Sequence, residues 1–133
     1  MRKQYHHRPT PDGTKIWDVH RLVELSKDFP RIRVPLDSIK ELDEKFWFED
    51  GQTPTCREIL EHVKLIHETD LKYPIILSSD GRVMDGMHRV LKAALENCDH
   101  IDAVQFDVDP EPDYMNVPLD ELPYRSCITN GFS

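Results

Sequence analysis

Three cysteines, Cys56, Cys98 and Cys127, are all the chain has, and no Cys-x-x-Cys occurs among them. That leaves no disulfide framework and reads as a reduced chain. No apolar run is long enough to cross a bilayer, so no membrane is expected as partner. The N-terminus lacks the hydrophobic stretch of a signal peptide, and the expected location is cytoplasmic. There is no His-Glu-x-x-His, and His62 and His67 stand five apart on one predicted helix. They do not meet at a common point, and no metal site is expected. Positive charge is also scarce: 17 Lys and Arg face 25 Asp and Glu, a formal net charge of −8. A nucleic-acid backbone is held by clustered cations, so direct DNA binding is not expected.

What is present suits one soluble globular domain. The chain has 133 residues, enough for a single core, with 38% hydrophobic and 32% charged residues. Residues 1–14 carry Arg2, Lys3 and Arg8 with Pro9, Pro11 and Gly13, and read as an irregular basic arm. Residues 15–125 read as the domain and 126–133 as a tail.

Within the domain the apolar spacing predicts a helix over 16–28, started by Asp12 or Thr14 and ended by Pro30. "RIRVPL" alternates as a half-buried strand, with Pro35 marking an edge. Asp37 starts a short helical turn. "TPTCREILEHVKLIHETD" is the clearest helix, capped by Thr53 with Pro54 or by a Thr55–Glu58 capping box. "YPIILSS", a two-residue turn at Asp80-Gly81, and "RVM" read as a hairpin. A helix from Gly86 to about Asn97 and an alternating strand "IDAVQFDV" follow. Residues 109–116 read as an extended acidic connector. The order is helix, strand, helix, strand, strand, helix, strand: a mixed α+β domain on a small sheet.

"VMDGMHRVLKA", residues 83–93, carries the chemistry. A strand feeds a helix through glycine, and a helix start offers free N–H groups and a dipole that favour an anion. Gly86 lets a ligand approach the backbone, while His88 and Arg89 bring donors suited to phosphate oxygens. In the plain structural alternative, Asp85 is an ordinary N-cap, Gly86 relieves crowding, and Arg89 pairs with Glu96 or another acid. A capping carboxylate would compete with a phosphate for the same N–H groups.

The segments "VPLDSI" and "YPIILSSDGRVMDGMHRVLKAALE" resemble the ParB/sulfiredoxin fold over residues 32 to about 108. That family carries a Pro-Ile-Ile-like strand, a hairpin, and a box such as Asp-Gly-x-His-Arg before an alanine-rich helix. The resemblance implies nucleotide chemistry: ATP, ADP or CTP with Mg²⁺, its phosphates at Asp85, Gly86, Met87, His88 and Arg89. It implies no sulfiredoxin activity, because Met87 stands where sulfiredoxins place their cysteine and a thioether forms no thiolate. A serine-phosphorylating branch uses a glutamate soon after the first strand. Glu41, Asp43 and Glu44 lie in that region as candidate bases, although "KELDEK" also fits a solvated helix face. Two functions of different class follow. One is a small nucleotide-dependent phosphotransferase or hydrolase. The other is a non-catalytic protein-binding module of a DNA-associated, partition-like complex.

Overall fold

The computed structural model describes residues 4–48 and 51–123. The first residues of the N-terminal arm and the whole 126–133 tail lie outside them. The chain is mixed α+β and divides into two compact units, Met1–Asp28 with Asp109–Ser133, and Phe29–Val108. The sequence reads instead as one domain over 15–125.

In the first unit the irregular arm is replaced by a strand. β1 (Tyr5–Thr10) pairs antiparallel with β2 (Gly13–Asp18), from Tyr5 opposite Asp18 to Thr10 opposite Gly13. The two-residue turn between them uses Gly13 at φ +126°, a backbone shape that side chains rarely adopt. β7 (Tyr114–Met115) adds to the other edge of β2, so part of the acidic connector is a sheet strand. The predicted helix over 16–28 is shorter. Ile16 and Trp17 are buried on β2, and α1 runs Val19–Ser26. Asp18 is the N-cap, accepting the His20 N–H at 2.9 Å. The spacing of Ile16, Val19 and Val23 mimics one helix because strand β2 passes directly into α1. Arg21 ties this helix to Asp113 at 3.2 Å.

The second unit follows the expected order. β3 (Ile32–Pro35) is an edge strand, as Pro35 requires, in a sheet ordered β3-β6-β4-β5. Two 3-10 turns, Leu36–Ser38 and Lys40–Asp43, follow it. α2 (Cys56–Glu68) opens with the Thr55–Glu58 capping box, each side chain bonded to the other's backbone at 3.1 Å. β4 (Ile75–Leu77) and β5 (Val83–Asp85) form the hairpin. Its loop has three residues rather than two. Ser78 N–H reaches Arg82 O at 2.8 Å, and Gly81 supplies φ +84°.

α3 (Met87–Leu95) returns the chain to β6 (His100–Gln105), parallel to β4. Asn97 ends α3 in the left-handed region, and the Asn97 and Cys98 N–H groups bond back to Ala94 and Ala93. The core lies between α3 and the sheet. Met87, Val90 and Ala93 meet Ile75, Leu77, Val83, Ile101 and Ala103, closed by Leu36 and Ile39. Val108, the last residue of the alternating run, is 81% exposed, and the strand ends earlier, at Gln105.

Candidate functional site

The box begins where β5 ends. Asp85 is opposite Ile76 in the sheet, and Gly86 turns the chain into α3 at φ +104°. A Cβ at Gly86 would sit 2.7 Å from Ile75 Cγ2 and 2.8 Å from Arg89 Nη2. The space left by the missing Cβ is therefore filled from inside, by Ile75 and by the Arg89 guanidinium. Glycine is required here twice, for its torsion and for the arginine that lies over it.

No side chain caps α3. Asp85, the N-cap of the plain structural alternative, turns to Arg89 instead: Arg89 Nη2 donates to Asp85 Oδ2 at 2.9 Å, and both side chains are largely buried. Arg89 thus pairs with an acid, as the plain structural alternative has it, and that acid is Asp85 rather than Glu96. The Arg89 Nε is buried and bonds to nothing. The carboxylate thus leaves the helix start open and occupies one arm of the guanidinium. Met87 contributes no side chain to the helix start. It is 5% exposed and belongs to the core, as expected of the first inward residue of an amphipathic helix.

His88 meets side chains from two segments distant in sequence. Its Nε2 lies 2.9 Å from Nδ1 of His62 on α2. The Trp47 indole stacks on both imidazoles, at 4.0 Å from His62 and 4.5 Å from His88. Burial, then His62 and Arg89, push the His88 pKa down to about 4. Burial lowers His62 too, against the nearby Glu61 and Glu58 carboxylates. At neutral pH His88 is therefore an uncharged donor or acceptor, and the cation of the box is Arg89. His62 and His88 are 26 residues apart, and no local pattern links them.

Two of the three candidate bases, Glu41 and Glu44, are placed at the other end of β5. Glu41 is 3% exposed, and its Oε2 accepts the Val83 N–H at 2.6 Å and lies 3.4 Å from Arg82 Nε. Its Oε1 is buried without a partner. Glu44 grips the Arg82 guanidinium with both oxygens, and that hydrogen bond holds its carboxyl below the usual range. Asp43 is exposed. Arg82 in turn borders a cleft of about 190 Å³ with Val34, Ser38, Lys40, Leu77 and Gln105. None of the five box residues lines that cleft. Val83 and Asp85 are two residues apart, about 7 Å along a strand, so the anchor of Glu41 and the box occupy the first and last residues of β5. Among the described residues, no three His, Cys, Asp or Glu side chains are grouped to hold a metal ion. No described helix is long and apolar enough to cross a membrane.

No family model, curated protein or solved structure matches the chain.

Proposed function

We propose that the chain is a ParB/sulfiredoxin-like domain that binds a phosphate-bearing ligand, a nucleotide above all, at the start of α3. The observation that carries this reading is the uncapped start of a helix beside a largely buried arginine whose Nε has no partner. The N–H groups and dipole there attract an anion, and the guanidinium fork suits two phosphate oxygens. ATP, ADP or CTP with Mg²⁺ is the ligand class. The phosphate competes with Asp85 for one arm of Arg89, so in the ligand-free site the arginine is engaged by its own carboxylate while the helix start stays uncapped. A phosphotransferase or hydrolase reaction is the activity that follows, with Glu41 as the candidate base nearest along β5. The test is a thermal-shift panel of ATP, ADP, CTP and GTP with and without Mg²⁺, since a ligand of the native state raises the melting temperature. No shift with any of them rejects nucleotide binding.

One observation favours the second reading, a protein-binding module. None of the 13 residues of α2 is buried, and Ile59, Leu60 and Val63 on one flank are 50%, 49% and 39% exposed. An apolar flank of that kind is a common mark of a protein contact. The two readings separate by experiment: Leu60→Glu would abolish association with a partner and leave nucleotide shifts unchanged.

A further inference from the structure

The side of α2 that faces α3 is taken up by contacts: His62 meets His88, and Lys92 Nζ donates to the His67 and Thr69 carbonyls. The flank beside it is open. Cys56, Ile59, Leu60 and Val63 recur there at helical spacing, and all four are exposed. At about 100° per residue, Arg57 and Lys64 follow Leu60 around the helix within about 60°, on the far side of this row from His62. The two cations are two turns apart, about 10.5 Å along the axis, and both are exposed. Each has an acid four residues on, Glu61 and Glu68, a spacing at which a helix can pair its own charges. Neither cation takes it, and neither has an ion pair among the described residues. Elsewhere the scarce cations of this acidic chain are matched internally: Arg21, Lys27, Arg31, Arg82 and Arg89 each meet a carboxylate.

We propose that this flank docks an acidic amphipathic helix of a partner protein, whose apolar row packs on Ile59, Leu60 and Val63 while two carboxylates, two turns apart, meet Arg57 and Lys64. This inference rests on the protein-binding reading given above and names its partner. An exposed helix ridge fits the groove of a second helix, and a partner of this kind presents apolar residues at i, i+3, i+4 and i+7. Apolar contact supplies the affinity, and charge selects the partner. Opposite charges speed the encounter and fix the register, whereas like charges placed together cost binding energy. The same rule counts against a second copy of this chain as the occupant. An antiparallel pairing of two α2 flanks would set Arg57 and Lys64 against the same two cations.

The experiment uses the full chain and two labelled, alanine-based helical peptides of equal length, both with leucine at i, i+3, i+4 and i+7. One carries glutamate and the other lysine at two flanking positions seven residues apart. Fluorescence anisotropy reads binding, and sedimentation of the chain alone reads self-association. The native chain is expected to be a monomer and to bind the glutamate peptide about tenfold more tightly than the lysine peptide, the sum of two ion pairs made rather than opposed. The double variant Arg57→Glu, Lys64→Glu should reverse the preference, and Leu60→Glu should abolish binding of both peptides. All three positions are exposed, so the melting curves of the variants should match that of the native chain. Equal affinities for the two peptides, or a preference for lysine, overturn the acidic partner and leave the protein-binding reading standing. A native dimer that Leu60→Glu disperses makes a second copy the occupant and likewise overturns the acidic partner. A monomer that binds neither peptide overturns the proposal and the protein-binding reading together.

Discussion

Replacing Asp85 with asparagine should weaken the fold and strengthen the binding of phosphate. The Asp85–Arg89 pair is joined by one bond of 2.9 Å between side chains that are 19% and 15% exposed. A hydrogen bond to a charged group contributes about 1.5–3 kcal/mol. Asparagine retains an amide oxygen in nearly the same place and loses the charge, so about half of that, on the order of 1 kcal/mol, is expected to disappear from stability. For a chain of this length the melting temperature falls by about 4 °C. The same change frees the arm of Arg89 that a phosphate must otherwise win from the carboxylate, and removes a negative charge from the helix start. Affinity for ATP or pyrophosphate should rise about tenfold, the equivalent of about 1.4 kcal/mol. Differential scanning calorimetry reads the first effect and isothermal titration the second. Opposite signs are the signature of a carboxylate that competes with the ligand. A variant that loses both stability and affinity would mean that Asp85 helps to hold the ligand, and the competition argument would be wrong.

Gly86→Ala meets Ile75 Cγ2 at 2.7 Å in a left-handed backbone, and should cost about 2–4 kcal/mol by summing torsional strain and overpacking; urea unfolding with an unchanged Cm would refute it. Met87→Cys should fold, leave its thiol unreactive toward a disulfide reagent in the native state, and gain no sulfinic-acid reductase activity, because the side chain at this position is 5% exposed in the core. The pH dependence of stability has a definite sign. His6 and His88 are both pushed down to about 4, chiefly by burial, so the unfolded chain binds more protons between pH 6.5 and 4. Their contribution to stability is complete above pH 6.5 and is lost as the pH falls toward 4. Melting curves that do not change over that interval would show that neither ring is held uncharged.

The second unit was legible because its signals are local. Thr55 and Glu58 announce the start of α2 within four residues, Asp80-Gly81 announces the hairpin, and Pro35 announces an edge strand. The hairpin loop is one residue longer than Asp80-Gly81 predicts because the register shifts between Ile76 and Leu77, which the turn residues themselves do not show. The first unit was not legible. Tyr5–Thr10 holds two histidines, an arginine and a proline with no alternation, and it becomes a strand by pairing with 13–18. The outer partner of β2 is Tyr114–Met115, about a hundred residues away in the chain.

The candidate site was legible in part for the same reason. The glycine, the helix start and the arginine lie within four residues, and the sequence displays them together. The turn of Asp85 toward Arg89 depends on the left-handed torsion of Gly86, and the capture of His88 depends on two segments far from it. Neither has a local signature. Glu41 looked like one acid of a solvated run, but the 3-10 turn Lys40–Asp43 directs it inward onto the Val83 N–H.

The central claim is that the start of α3 holds phosphate through Arg89. It is tested most directly by calorimetric titration of the native protein and Arg89→Ala with the nucleotide that the thermal panel selects. The account predicts measurable binding to the native protein and a loss of about 1.5–3 kcal/mol in the variant, roughly tenfold to more than a hundredfold in Kd. Equal affinities of the two proteins, or no binding by the native protein with or without Mg²⁺, would contradict it.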